Sequence, residues 1–179
     1  AGCEVHISIN LGGYIVFGGN KAGLKALEAL LPMVQDRYPM NLFNHAAFHT
    51  PLLNDTSIKA KSLLATGLFN QPKIPLIDGL GQIWQPHSTD IQGLYDYTLG
   101  TQVVAPYNFT KAIEVAVKEY APDKLIILGP GATLGGAVAQ SLISQHWLDM
   151  KSKGDFIAMQ KNDPFILAMG LPEQRTLVV

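Results

Sequence analysis

The stretch KLIILGPGATLGG, residues 124–136, is the strongest indication of fold class in this chain. Its apolar run from Leu125 to Leu128 has the length and composition of a buried strand. Glycines and a proline then turn the chain, and the apolar spacing from Leu134 to about His146 predicts a helix. A strand that passes through a tight turn into a helix is typical of α/β folds, in which helices cover a mostly parallel sheet.

The glycine-rich turn also loosely matches a dinucleotide-binding motif, because Gly129, Gly131 and Gly135 lie between a strand and a helix. However, Pro130 lies inside the turn, and no strand with an acidic end follows about 20 residues later. Tight packing of the strand against the helix therefore explains the glycines better. Nucleotide binding stays an alternative, which would show as a stoichiometric dinucleotide or as a melting temperature shifted by NADP.

Segments with strand and helix patterns alternate along the rest of the chain. Val5 to Ile9 has the alternation of a half-buried strand, Tyr14 to Phe17 follows the turn Gly12-Gly13 as a second strand, and Asn20 is a candidate helix N-cap. The other predicted elements, in chain order, are a helix that Pro32 ends, a short strand at 40–43, a helix from Thr50-Pro51 to about Phe69, a strand at 74–78, a hairpin through 83–84, and helices capped by Asp90 and Asn108. Residues 151–154 have the character of a linker, and FIAMQ (156–160) and FILAMG (165–170) are predicted to be short strands or packing segments.

Charge and cysteine content exclude several classes of function. The 179 residues carry a formal net charge of −1 and no basic stripe, so nucleic-acid binding is not expected. Cys3 is the single cysteine, which excludes a disulfide framework and fits a reducing cytoplasm. The apolar runs are too short to span a membrane, and no signal peptide is visible, so we expect no membrane association.

Two histidines in HAAFHTPLL, residues 45–53, are the first candidates for chemistry. His45 and His49 have the spacing of a zinc-binding pair, but Ala46 stands where such motifs carry glutamate, and no carboxylate cluster completes a ligand set. No metal is therefore expected. His49 lies near the end of a predicted strand and just before a predicted helix, a position where α/β folds place their working groups. It is a candidate general base.

The chain has no recognisable nucleophile to accompany this base. None of its serines lies in a G-x-S-x-G elbow, and Cys3 has no evident partner that would lower its pKa.

Taken in order, several motifs resemble the C-terminal half of malonyl-CoA:acyl carrier protein transacylases, over about residues 4–147. The same fold forms the acyltransferase domains of fatty-acid and polyketide synthases. The motifs are VHISIN (5–10), YIVFGG (14–19), AAFHTPLL (46–53), FNQPKIPLIDG (69–79), TQVVAPYNFTKAIE (101–114) and LIILGPGATLGG (125–136). The resemblance implies the C-terminal part of an α/β-hydrolase-like acyltransferase core at 46–150, a partial ferredoxin-like small subdomain at 1–45, and an extension or linker at 151–179.

The resemblance also implies roles for three residues. His49 matches the catalytic histidine that takes the proton from a serine nucleophile. Gln102 matches the residue whose backbone carbonyl holds that histidine in the correct tautomer. Phe48 matches a substrate-binding position that is phenylalanine in malonyl-selective relatives, although the family's HAFH reads Ala46-Ala47-Phe48-His49 here.

The implied activity is ping-pong transfer of malonate from malonyl-CoA to the phosphopantetheine thiol of an acyl carrier protein, through a serine ester and without a cofactor. In the family, the serine, the oxyanion hole and a malonate-binding arginine lie upstream of the matching part. Arg37 and Arg175, the arginines of this chain, match neither position. We therefore expect a fragment or one subunit of a split enzyme, inactive alone and partnered by the missing N-terminal half. The alternatives are a non-catalytic carrier-protein docking or scaffold subunit of the same fold, and a fragment of a serine hydrolase.

Overall fold

Three small sheets hold the strands of the protein in the computed structural model, which describes residues 2–178. The first has the strand order β2-β1-β5, the second pairs β3 with β4 antiparallel, and the third pairs β6 with β7 parallel. Their bounds are Val5–Leu11 (β1), Tyr14–Gly19 (β2), Leu76–Ile77 (β3), Ile83–Trp84 (β4), Tyr107–Asn108 (β5), Leu125–Ile127 (β6) and Ile166–Ala168 (β7). The mixed α/β class is confirmed. The prediction of one mostly parallel sheet is wrong, because the described strands form three separate small sheets, one of which is antiparallel.

Helices account for most of the remaining regular structure. The α-helices are Lys21–Leu30 (α1), Asn54–Leu63 (α2), Ile91–Asp96 (α3), Gln102–Val104 (α4), Phe109–Tyr120 (α5), Leu134–Ser144 (α6), Lys153–Asn162 (α7) and Pro172–Arg175 (α8). Short 3-10 turns occupy Pro51–Leu53, Thr66–Leu68 and Trp147–Asp149, and a π-helical turn, Tyr97–Thr101, joins α3 to α4. None of the described helices is long and apolar enough to cross a membrane.

The helix boundaries follow the predicted capping residues in three places. The side chains of Asn20, Asp90 and Asn108 each accept a hydrogen bond from a backbone N–H in the first turn of α1, α3 and α5. Helix α1 ends at Leu30, two residues before Pro32, as predicted.

Other predicted boundaries are wrong. The helix expected to run to Phe69 ends at Leu63, the strand expected at 74–78 forms only at Leu76–Ile77, and no strand forms at 40–43. Thr50 precedes a 3-10 turn but does not cap it, because its hydroxyl donates to the carbonyl of Ala47 instead.

Contacts divide the chain into two units, Ala1–Asn10 with Ile15–Tyr107 (unit 1) and Leu11–Tyr14 with Asn108–Val179 (unit 2). Unit 2 has an apolar core in which Val117, Leu142 and Met150 are almost fully buried.

The segment predicted as an extension contributes directly to this core of unit 2. Its residues 156–160 lie in α7 rather than in a strand, whereas Ile166–Ala168 forms β7, in which Ile166 lies opposite Leu125. Gln160 of α7 holds the start of β7: its Oε1 accepts from the backbone N–H groups of Phe165 and Ile166, and its Nε2 donates to the carbonyl of Ile166.

We expect Gln160→Ala to lower the free energy of unfolding by about 2–3 kcal/mol, because it leaves backbone groups of two buried residues without a partner. Chemical denaturation measures the change. Gln140→Ala is the matched control, because Gln140 is an exposed helical glutamine of α6, and its loss should cost less than about 0.5 kcal/mol. Equal effects of the two substitutions would contradict this role of Gln160.

Candidate functional site

His49 lies in unit 1 in a backbone conformation that few residues with a side chain adopt. Its φ of 57° falls in the left-handed region, which costs free energy unless the surroundings fix it. Two buried hydroxyls fix the adjoining peptides. The Ser8 hydroxyl donates to the carbonyl of Phe48 at 2.8 Å, and the Thr50 hydroxyl donates to the carbonyl of Ala47 at 2.6 Å. The histidine is thereby held at a sharp bend immediately before the turn that leads into α2.

The ring of His49 is oriented by one short hydrogen bond. Its Nδ1 lies 2.5 Å from the backbone oxygen of Gln102. Because a carbonyl oxygen can only accept, Nδ1 carries the proton, and the neutral ring has its lone pair on Nε2. This is the tautomer that a general base needs, and it is set by a backbone group rather than by a carboxylate.

Side chains of α2 and α3 position the segment that carries Gln102. The hydroxyl of Ser57 in α2 donates to the carbonyl of Leu99 in the π-helical turn at 2.5 Å. The hydroxyl of Tyr95, a buried residue of α3, lies 3.0 Å from the carbonyl of Lys61 and 2.8 Å from that of Leu64. These contacts tie α2 to the chain that leads into α4, so the segment just before Gln102 is held in place.

One face of the His49 ring meets Tyr107. The ring centroids are 5.4 Å apart and tilted by 41°. The Tyr107 ring in turn lies against Gly79, where an added Cβ would come within 2.5 Å of a ring carbon. Glycine at position 79 therefore lets the tyrosine, and with it the histidine, take up this position.

A buried carboxylate shapes the turn beneath Tyr107. Asp78, only 4% exposed, accepts hydrogen bonds from the backbone N–H groups of Leu80 and Gln82 and from the indole N–H of Trp84, at 2.8–3.0 Å. The next backbone N–H, that of Gly79, donates to the hydroxyl of Tyr97 at 2.8 Å.

Both tyrosines near this turn are held in their neutral form. Burial raises the pKa of Tyr97 to about 12, and the negative charge of Asp78 contributes in the same direction. Burial, together with Asp78, also raises the pKa of Tyr107. The phenol next to His49, that of Tyr107, is therefore neutral at physiological pH.

The candidate residues predicted from the sequence differ in their exposure and in their hydrogen-bond partners. His49 and Gln102 are brought together, and Phe48, next to the histidine, is 51% exposed. His45 is exposed, and its Nδ1 lies 2.7 Å from the carbonyl of Phe43. Cys3 is exposed as well.

Within residues 2–178, no hydrogen bond joins His49 to a serine, threonine or cysteine side chain. No three histidine, cysteine, aspartate or glutamate side chains of the described part of the chain are grouped so that they could hold a metal ion. Among the described residues, His49 thus has a ring oriented by the Gln102 carbonyl and no hydroxyl or thiol hydrogen-bonded to it.

Comparison with known proteins identifies a similar fold. No protein-family model and no curated protein matches the chain. The crystal structure of the malonyl-CoA:ACP transacylase of Synechocystis sp. PCC 6803 is similar, with a TM-score of 0.67 and 16% sequence identity. The match covers 98% of this chain and 51% of that one, so the chain spans about half the length of the solved structure. The protein thus has the mixed α/β fold found in a transacylase.

Sequence reasoning missed the residues that support His49. The alternation of Val5, Ile7 and Ile9 with His6 and Ser8 predicts that the apolar side chains form the buried face, yet Ser8 is 3% exposed and Ile7 is 43% exposed. No local pattern indicates that this hydroxyl reaches Phe48, forty residues away. For Asp78 the signal was present, because an aspartate followed by glycine is typical of a turn that the carboxylate closes.

We expect Gly79→Ala to displace the His49 ring indirectly, through the Tyr107 ring. The added methyl group displaces the Tyr107 ring, which lowers the free energy of unfolding by about 1–3 kcal/mol and shifts the ring resonances of His49 in NMR spectra. Gly67→Ala is the control, because nothing lies within 4 Å of a Cβ built at Gly67. Unchanged His49 resonances in Gly79→Ala would show that Tyr107 does not support the ring.

Proposed function

We propose that this chain is the base-bearing part of an acyltransferase that moves a malonyl group from malonyl-CoA to the phosphopantetheine thiol of an acyl carrier protein. The observation that carries the proposal is the hydrogen bond between His49 Nδ1 and the backbone oxygen of Gln102. The residues that the motifs of the sequence assign to the base and to its orienting carbonyl are in contact, although they are 53 positions apart. The fold shared with a malonyl-CoA:ACP transacylase gives independent support.

In the proposed reaction, His49 Nε2 takes the proton of a serine hydroxyl as that oxygen attacks the malonyl thioester. The C–S bond breaks, and the proton passes from Nε2 to the departing CoA thiolate. The carrier-protein thiol then gives its proton to Nε2 and attacks the serine ester. The ester C–O bond breaks, the proton passes from Nε2 to the departing serine oxygen, and the malonyl group is left on the carrier thiol. The Gln102 carbonyl holds the Nδ1 proton throughout and stabilises the transient imidazolium.

The serine and the arginine that would bind the malonate carboxylate are proposed to belong to another segment or another chain. Large apolar side chains near His49 in the sequence are exposed, among them Leu30 at 82%, Phe43 at 83% and Phe48 at 51%. Burial of such groups against a partner is favourable. Coverage by the serine-bearing half of the enzyme would account for them.

The proposal is tested by intact-mass spectrometry of the protein purified with its bound partners and then incubated with malonyl-CoA. We expect one malonyl group on a chain that carries a G-x-S-x-G serine. His49→Ala should slow malonyl transfer about 10²- to 10⁴-fold, whereas His45→Ala, which removes an exposed histidine four residues away, should leave the rate unchanged.

A malonyl adduct on no chain would contradict the proposal and favour the docking or scaffold alternative. Equal transfer rates for the two histidine variants would likewise contradict the role of His49.

Phe48 is proposed to set the preference for an unbranched acyl group. We expect Phe48→Ala to reduce the ratio of kcat/KM for malonyl-CoA over methylmalonyl-CoA by about tenfold, because the ring no longer crowds the α-carbon. Phe43→Ala is the control, since Phe43 is also exposed and precedes the histidine segment. A ratio that is the same in both variants would assign selectivity to other residues.

A further inference from the structure

The carbonyl oxygen of Gln102 would normally have a partner within its own helix. In an α-helix, each carbonyl accepts from the N–H four residues later. The ladder holds for the preceding residue, since the backbone N–H of Ala105 donates to the carbonyl of Thr101 at 2.9 Å. The next donor in the series would be residue 106, and residue 106 is proline, which has no N–H.

Pro106 also ends the helix shortly after this carbonyl. Its ring disfavours the helical conformation of the residue before it, and Ala105 is extended, with φ −118° and ψ 151°. Helix α4 therefore stops at Val104. The oxygen of Gln102 lies in the last turn, where carbonyl groups need a partner from outside the helix. His49 Nδ1 supplies that partner.

We infer that Pro106 is a positioning residue for His49. Because proline has no backbone N–H, the Gln102 carbonyl has no helical donor and accepts the hydrogen bond from the imidazole instead. This role rests on the proposed function of His49 as the base. An N–H at position 106 would compete for the same oxygen and would favour another turn of helix, which rotates the carbonyl toward the helix axis. The histidine would then lose the bond that fixes its tautomer.

Pro106→Ala tests the inference, and Pro122→Ala is the matched control. Pro122 has the same relation to α5 as Pro106 has to α4: the N–H of Ala121 donates to the carbonyl of Val117, and proline stands at the next donor position. It lies in unit 2, whereas His49 lies in unit 1. Pro106→Gly serves as a second variant, because glycine supplies the N–H but extends a helix poorly.

Two NMR measurements on the whole chain test whether an amide at position 106 competes with the His49 ring for the Gln102 carbonyl. In Pro106→Ala, the new amide of residue 106 should exchange with solvent about tenfold more slowly than an unbonded amide, and the His49 ring should change from one Nδ1–H tautomer to a mixture. Pro106→Gly should show a smaller change in the same direction, and Pro122→Ala should leave the tautomer as it is. An unprotected amide at 106 in both variants, or an unchanged His49 tautomer, would overturn the inference.

Transfer kinetics with malonyl-CoA separate this inference from the proposed function. If both hold, Pro106→Ala lowers kcat about tenfold or more and leaves KM within about twofold, since substrate contacts are untouched. A tautomer that shifts as expected, in a protein that transfers no malonyl group even when purified with its bound partners, would support the role of Pro106 and overturn the proposed function. A normal kcat in an active enzyme with the tautomer disturbed would overturn the positioning role.

Discussion

The hydrogen bond from His49 Nδ1 to the backbone of Gln102 is the constraint on which the rest of unit 1 depends. A histidine side chain is useful as a base only if one ring nitrogen keeps its lone pair, and a carbonyl acceptor enforces that choice without adding a charge. Such a bond forms only if the segments that carry His49 and Gln102, which are far apart in the sequence, lie in contact. Buried hydroxyls of Ser8 and Thr50 hold the histidine's bend, and Ser57 with α2 holds the segment that carries the carbonyl.

The hydrogen bonds of Asp78 explain why this polar side chain can be buried near Tyr107. Asp78 uses both carboxylate oxygens on backbone and indole donors, so its charge is compensated by hydrogen bonds rather than by a counter-ion. The turn that it closes brings Gly79 beneath Tyr107, and the Tyr107 ring then meets His49. The geometry of a tight turn thus fixes the position of the imidazole ring through the packing of Tyr107.

Helix boundaries could be predicted from the sequence where they depend on hydrogen bonds between neighbouring residues. Caps at Asn20, Asp90 and Asn108 and the end of α1 before Pro32 follow from hydrogen bonding within one helical turn. The contact of His49 with Gln102 was expected from ordered motifs that resemble an acyltransferase family. Long-range contacts were not predictable: the hydroxyl of buried Ser8 donates to the carbonyl of Phe48, and α7, where a short strand or packing segment was expected, places Gln160 against the backbone of β7. Neither partner can be read from neighbouring residues.

The most direct test of this account is a long-range ¹H–¹⁵N NMR spectrum that reports the protonation of the two ring nitrogens of His49 in the unmodified protein. With the ring neutral, the account predicts a single tautomer with the proton on Nδ1 and the lone pair on Nε2. A ring protonated on Nε2, or a mixture of the two tautomers, would contradict the claim that the Gln102 carbonyl prepares His49 as a base.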